Sequence, residues 1–178
     1  MTTENIISSA LEHGFTAAVP LKPESIDCKT QVRDMCEACK AYNTTWICPP
    51  ACGSIEQCSE RVLSYPRGVI VQTTGQLEDE LDGEGMMEAG RVHGENLKVF
   101  YKFLRDSFKG DELLALCAGG CGRCAKCTYP DEPCRFPDEQ TSSMEAYGML
   151  IAEVCKDNNV PYYYGKGTIT YVSCYLFR

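Results

Sequence analysis

The chain has 178 residues, of which 44% are hydrophobic and 24% are charged, and its formal net charge is −8. This length suits one domain with a real core and excludes two large ones. The negative charge argues against a nucleic acid as the main partner, because phosphate contacts need a basic surface. The thirteen cysteines are far more than usual, and because their number is odd they cannot all pair within a monomer.

The N-terminal sequence favours a cytoplasmic protein. Its first residues, MTTENIISSALEHGF, lack a basic start, a long apolar core and a small-residue cleavage site. No apolar stretch approaches the roughly 20 residues that span a bilayer, so we expect no membrane partner. Cytosolic thiols stay reduced, and clustered cysteines there bind metal more often than they form disulfides. The sequence therefore favours a metal-binding protein over a disulfide scaffold.

The N-terminal half predicts short elements around a cysteine-rich loop. A short helix, a strand over residues 15–20 and a proline-containing turn come first. The segment 28–58 is rich in Cys, Pro, Thr and Asn and has no helical or strand periodicity. Such a loop needs something other than hydrophobic burial to order it, which a metal would provide. A helix over 54–64 and a buried strand over 69–74 follow.

A long amphipathic helix is predicted next. Apolar residues recur there at three- and four-residue steps; they are Met86, His93, Leu97, Phe100, Leu104 and Phe108. A second buried strand over 113–117 then leads into the second cysteine loop, over 117–137.

The C-terminal part predicts a capped helix and two strands. Ser142 and Glu145 have capping-box spacing. The helical face that follows consists of Met144, Tyr147, Ile151 and Val154, and the Asp–Asn–Asn at 157–159 ends it. The β-prone tail over 160–177 is split into two strands by Gly165 and Gly167. The whole pattern predicts one domain over 1–178 of the α/β (α+β) class: a small mixed sheet flanked by helices, with two cysteine-rich metal-binding loop regions.

The second cysteine loop has the more specific spacing, C-x2-C-x2-C-x6-C. Its cysteines are Cys121, Cys124, Cys127 and Cys134. Three cysteines two residues apart can wrap around three corners of an iron–sulfide cube, as in the bacterial ferredoxin run. The fourth comes later here and is not followed directly by proline, which argues against a true ferredoxin fold. Zinc, which usually takes two separated C-x2-C knuckles, and thiols without a metal are the alternatives to a [4Fe–4S] cluster.

The first cysteine loop contains a less definite set. Cys36 and Cys39 form one C-x2-C knuckle, and Cys48 begins the sequence Cys–Pro–Pro, in which proline shapes the chain leaving a ligand. Spacing leaves the fourth ligand open among Cys28, Cys52 and Cys58. Iron and zinc both remain candidates for this set.

The chain also contains the segments WICPPACGSIEQC, EGMMEAGRVH, AGGCGRCAKCTYPDEPCRFP and SSMEAYG. They resemble the predicted metal-binding proteins catalogued as domain of unknown function 2284, and the likeness runs from about residue 36 to residue 177. The resemblance implies one ligand set of Cys36, Cys39, Cys48 and Cys58, and a second of Cys121, Cys124, Cys127 and Cys134. The pattern does not include Cys28, Cys52 or Cys117, so their part in ligation stays open. It implies metal binding but no particular reaction.

Other reactive side chains have simpler explanations. His93 lies on the apolar stripe and is expected to be packed, whereas His13 is expected in an exposed N-terminal helix. Cys155 and Cys174 are expected to be small apolar core residues. Basic residues near the cysteines either neutralise thiolates or form a docking rim for an acidic redox partner; they are Lys29, Arg33, Lys40, Arg123, Lys126 and Arg135.

Three functions follow from these observations. The first is an iron–sulfur protein with two [4Fe–4S] clusters that transfers electrons to a redox partner protein or serves a larger enzyme. The second is a cluster-dependent sulfur-handling or reductive enzyme, in which a surplus thiol changes the ligation or acts as a nucleophile. The third is a structural zinc protein that acts as an interaction module. The sequence names no catalytic residue and no oligomeric state.

Overall fold

The computed structural model describes residues 1–178 and is built around a mixed sheet of five strands. The strands are β1 (Ala17–Leu21), β2 (Arg67–Gln76), β3 (Leu113–Cys117), β4 (Ser142–Ser143) and β5 (Thr168–Phe177). Their order in the sheet is β1-β2-β5-β3-β4. The pair β3 and β4 is parallel, and all other pairs are antiparallel. The predicted α+β class with a mixed sheet is confirmed.

Five α-helices accompany the sheet. They are α1 (Thr3–Glu12), α2 (Thr30–Asp34), α3 (Ile55–Leu63), α4 (Gly83–Ser107) and α5 (Ile151–Asp157). Side-chain caps fix where three of them begin. Thr2 Oγ1 accepts from Asn5 N at α1, and Ser54 and Gln57 form a capping box at α3. At α4, Asp82 Oδ1 accepts a hydrogen bond of 2.8 Å from Gly85 N. None of these helices combines the length and the apolar character that a membrane span requires.

The sheet has two buried faces because side chains alternate along its central strands. Val69 and Val71 of β2 pack on one face with apolar residues of α1 and α4. Ile70 points to the other face, where it joins Val62 of α3 and Val154 of α5. The first cysteine loop packs on this second face, since Cys58 belongs to its core and Cys28 and Cys52 lie against it.

The helix predicted across Met144 to Val154 is wrong in extent. Residues Ser142–Ser143 form β4, a short 3-10 turn follows, and α5 begins only at Ile151. The predicted helix is interrupted at Gly148, which has a left-handed φ of 75°. Gly148 also lies so close to Lys29 that a Cβ would be 2.8 Å from the Lys29 carbonyl oxygen. Ser142 makes no capping box with Glu145; instead Ser143 Oγ accepts from Ala146 N at 3.0 Å.

The prediction of two strands in the tail is also wrong, because only Thr168–Phe177 is a strand. The preceding loop is held by the buried side chain of Gln72. Gln72 Nε2 donates to the Pro161 carbonyl at 2.9 Å, and Gln72 Oε1 accepts from the Tyr164 hydroxyl at 2.7 Å. These hydrogen bonds from the Gln72 side chain hold the loop in place without pairing it to another strand.

The packed histidine predicted at 93 is confirmed. His93 is 2% exposed and lies between two hydroxyls, 2.9 Å from Thr73 Oγ1 and 2.7 Å from Ser173 Oγ. Burial lowers the pKa of His93 to about 4, so the ring is neutral at pH 7. His13, expected in an exposed helix, is half-buried: it caps the C-terminal end of α1 and its ring packs against Phe100. Cys155 and Cys174 are buried in the core, as predicted.

Candidate metal centre

The four cysteines of the second loop line a single cavity. They are Cys121, Cys124, Cys127 and Cys134. The loop leaves β3 at Cys117, and the opposite wall of the cavity comes from residues 45–47 of the first cysteine loop. Cys121 is exposed and the other three are half-buried, so the thiols are reachable for a group that binds from outside. The spacing that predicted one shared site thus corresponds to one shared cavity.

A buried hydroxyl in the wall of this cavity has no hydrogen-bond partner. Thr45 contributes to the cavity wall, and its Oγ1 atom is buried without a donor or an acceptor in reach. Leaving such a group unsatisfied costs roughly 1–3 kcal/mol. An occupant with acceptor atoms would remove that cost. Four thiols and an unpaired hydroxyl donor around one cavity fit an iron–sulfur cluster, whose thiolates and sulfides accept hydrogen bonds.

Backbone N–H groups point at thiols of this second set. Phe136 N lies 3.4 Å from Cys134 Sγ. Burial acts to raise the pKa of Cys127, but the N–H groups of Tyr129, Trp46 and Thr128 outweigh burial and lower the pKa overall. A lower pKa favours the thiolate, which is the form that binds a metal.

The first cysteine loop surrounds the guanidinium of Arg33. Arg33 Nη1 lies 3.3 Å from Cys58 Sγ and 3.1 Å from the Ala146 carbonyl oxygen, and Nη2 bonds the Gly53 carbonyl. The pKa of Cys58 falls to about 7, first because the Cys52 thiol donates a hydrogen bond to it and then, against the effect of burial, because of Arg33. Cys58 is therefore poised as a thiolate, and the Cys52 pKa is raised by the same hydrogen bond.

The remaining thiols of the first loop are neighbours of one another. Burial and then the nearby Cys48 raise the pKa of Cys36, with a smaller effect from Cys39. Cys52 lies close enough to interact with both Cys48 and Cys58. In neither loop are three Cys, His, Asp or Glu side chains placed so that they could hold a single metal ion. The four cysteines of the second set therefore line one cavity. The cysteines of the first set are neighbours of one another, and of these Cys58 is the buried one.

Two cysteines outside the proposed sets have different environments. Cys28 is half-buried. Its pKa is raised mainly by burial and to a smaller extent by the nearby Cys58. Cys117 is buried at the end of β3, where burial raises its pKa to about 11 and its Sγ lies 3.4 Å from the Ser142 carbonyl oxygen. Cys117 is consequently a protonated core thiol, whereas Cys28 lies beside a proposed ligand. All thirteen cysteines are free thiols.

Three of the six basic residues near the cysteines have partners of their own. Lys29 pairs with Glu153, and Arg123 pairs with Glu139 at 2.6 Å. Arg135 Nη1 donates to the Lys126 carbonyl at 3.1 Å. Arg33 is the residue whose guanidinium contacts a proposed ligand, which agrees with a neutralising role in the first loop.

The two cysteine loops are in direct contact. Trp46 Nε1 donates to the Glu132 carbonyl at 3.1 Å, and the Tyr129 hydroxyl donates to Asn43 Oδ1 at 2.9 Å. Ile47, which lies in the wall of the second cavity, is the residue immediately before Cys48. No motif in the sequence indicated a role for Thr45, although the segment WICPPACGSIEQC begins at the next residue.

A mixed sheet that carries two adjoining cysteine loops, one of them closed around a cavity, defines a cysteine-rich α+β protein with predicted metal sites. The chain belongs to the family described as predicted metal-binding protein (DUF2284), which matches residues 19–177. The resemblance inferred from the four segments is therefore confirmed. No curated protein and no solved structure matches the chain.

Proposed function

We propose that this protein holds two [4Fe–4S] clusters, one in each cysteine set, and that it transfers single electrons in the cytoplasm to a redox partner protein or a larger enzyme. One observation carries the proposal: the four thiols of the C-x2-C-x2-C-x6-C motif line one cavity, and the unpaired hydroxyl of Thr45 lies in the same wall. The first set would use Cys36, Cys39, Cys48 and Cys58.

The spread of the thiols favours a cluster over a single zinc ion. Zinc draws four thiolates to about 2.3 Å from one point. A cubane instead presents its four irons at alternate corners, so its thiolates surround a larger body. The four thiols of the second set come from one C-x2-C-x2-C-x6-C run and line a common cavity, an arrangement that suits a cluster better than two separated zinc knuckles do.

The residues around the sites favour electron transfer over chemistry on a substrate. Four protein thiolates at each cluster would leave no iron open, and the cluster would supply one-electron redox chemistry. Arg33 and the backbone N–H groups at Cys127 and Cys134 would stabilise negative charge on the sulfurs. Ile47 lines the cavity of the second set, and its neighbour Cys48 is a proposed ligand of the first set. This short separation supports electron transfer between the two clusters.

A cluster-dependent reductive or sulfur-handling enzyme is the second candidate. It is favoured by Cys52, whose thiol lowers the pKa of Cys58 and whose carbonyl oxygen lies 3.7 Å from Cys58 Sγ. In such an enzyme Cys52 would take the place of Cys58 during the reaction, or would serve as the nucleophile. A substrate-dependent change in the cluster spectrum that is lost in Cys52→Ser would separate this candidate from simple electron transfer.

Anaerobic purification with quantification of iron, zinc and acid-labile sulfide tests the proposal. Two cubanes predict about eight irons and eight sulfides for each chain. Reduction by dithionite should then produce an electron paramagnetic resonance signal from each cluster. Stoichiometric zinc without sulfide would show a structural zinc protein and would overturn the redox function. About four irons would show that only one set holds a cluster.

A further inference from the structure

A second cavity adjoins the second cysteine set. Its wall comes from α3, the C-terminal end of α4, the first half of β3 and the segment that returns from the cysteine loop, and Gln140 lies in the walls of both cavities. The volume is about 240 Å³. This is below the roughly 300–1,000 Å³ of sites for drug-sized ligands and cofactors, so the cavity suits a molecule of a few heavy atoms.

Two guanidinium groups face this cavity, and one of them has no carboxylate partner. Arg61 of α3 donates to the Tyr147 hydroxyl at 3.1 Å and forms no salt bridge. Arg105 of α4 donates to the Gly110 carbonyl at 2.6 Å and lies 3.7 Å from Asp138, whose side chain is 89% exposed. The other carboxylate in the wall, that of Asp111, is paired with Arg178 at 3.0 Å. The wall thus holds two arginines and two aspartates, and because Asp111 is engaged by Arg178, the guanidinium of Arg61 is left without a carboxylate partner.

The cavity also offers hydrogen-bond donors without acceptors. Tyr147 is 2% exposed, and its hydroxyl oxygen accepts from Arg61 while its own O–H has no acceptor among the side-chain hydrogen bonds of the structure. The side-chain amide of Gln140 makes no hydrogen bond either. A phenol O–H, an amide and two guanidinium groups from separate elements thus point to a ligand rich in acceptors. Guanidinium binds carboxylate and phosphate oxygens especially well, since its donors match their geometry.

We propose that this cavity binds a small oxyanion, held by the guanidinium groups of Arg61 and Arg105 and by the hydroxyl of Tyr147. The shared chemistry is a carboxylate or phosphate group on a molecule of a few heavy atoms. The site is built from residues outside both cysteine sets, so it does not depend on which metal they hold. Because Gln140 borders both cavities, the bound anion lies next to the second cysteine set.

Isothermal titration of the anaerobically purified protein with inorganic phosphate and with succinate, at low ionic strength, tests this site. Binding of phosphate alone, or of succinate alone, identifies the anion that the site prefers. Arg61→Gln should weaken binding about tenfold or more, because a charge-assisted hydrogen bond is lost. Tyr147→Phe keeps the ring and removes only the O–H donor, so it should also weaken binding while the fold is retained.

The matched control is Lys166→Gln, which removes the same charge at the opposite end of β5. Lys166 lies beside Gln76, whereas the anion cavity is bordered by Leu113, which pairs with Phe177. The control variant should bind the anion as the wild type does. The proposal is overturned if neither anion binds at millimolar concentration, or if Arg61→Gln and Lys166→Gln weaken binding equally, because the second result means general charge attraction.

Discussion

Trp46 and Tyr129 meet edge to face, with ring centroids 4.9 Å apart and ring planes at 90°. Trp46 stands two residues before Cys48, and Tyr129 stands two residues after Cys127. Such an aromatic pair contributes about 0.5–1.5 kcal/mol beyond the burial of its surface. The contact joins the two cysteine loops, so the order of one loop depends on the other.

Trp46→Ala removes this contact, while Trp46→Phe keeps an aromatic ring. In the alanine variant the second cysteine loop loses its indole neighbour and its bond to the Glu132 carbonyl, so iron should leave that site several-fold faster in the presence of a chelator. The phenylalanine variant should lose iron at an intermediate rate. Tyr163→Ala, which removes an aromatic residue that is 70% exposed, is the control. Equal chelation rates in all variants would show that the aromatic pair does not support the site.

Cys124→Ser tests the second ligand set. We expect iron to fall by about half and the loop from Cys121 to Cys134 to become sensitive to proteases, because formation of a metal site and local folding are coupled. Cys174→Ser is the matched control, since Cys174 lies in the core on β5. Full iron in Cys124→Ser, or iron loss in Cys174→Ser, would contradict the assignment of ligands.

Cys58→Ser and Cys52→Ser together decide the fourth ligand of the first set. Cys58 contacts Arg33 and has the lowered pKa, whereas the pKa of Cys52 is raised, first by its hydrogen bond to Cys58. We therefore expect Cys58→Ser to lose about half of the iron and Cys52→Ser to keep it, as measured by iron content and absorption spectra. The reverse result would assign the ligand to Cys52.

Thr45→Val tests the unpaired hydroxyl. If its O–H donates to a cluster sulfur, it stabilises the more negative reduced state, and its loss should lower the reduction potential of the second cluster. A hydrogen bond of about 1 kcal/mol corresponds to tens of millivolts for one electron. Thr45→Ser keeps the hydroxyl and should restore the wild-type potential in a redox titration. An unchanged potential in Thr45→Val, with the cluster present, would show that the hydroxyl does not reach the sulfurs.

His93 should make stability depend on pH. Its pKa is lowered by burial to about 4, below the unfolded value of about 6.5, so the unfolded chain binds more protons between these values. Its contribution is fully present above about pH 6.5 and is lost as the pH falls toward 4. At pH 5 the loss is about 2 kcal/mol relative to pH 7. Urea unfolding at both pH values should show this loss in the wild type and a smaller one in His93→Gln.

The sequence predicted correctly those helices and strands whose structure depends only on nearby residues. The stripe through His93 and Phe100 became α4, and the helix predicted over 54–64 became α3. The helix predicted from Met144 failed because Gly148 adopts a left-handed conformation, which its close approach to Lys29 requires. That contact joins residues far apart in the chain, and periodicity carries no information about it.

In the candidate sites, too, local patterns were predictable and long-range contacts were not. The cysteine spacing of the second set is local, so the sequence was sufficient to group Cys121 with Cys134. Thr45 lies in the wall of the same cavity although it belongs to the other cysteine loop. Arg61 and Arg105 line one cavity although more than forty residues separate them in the chain. Only the fold brings these side chains together, and none of them stands in a motif that would identify its role.

The two-faced sheet separates the hydrophobic core from nearly all of the proposed ligands. Of the eight proposed ligand thiols only Cys58 is buried in a core, and the other seven lie outside the packed faces. The apolar core is thus formed by other residues, so replacing any of those seven thiols is expected to disturb its own loop and to leave the sheet and its helices in place.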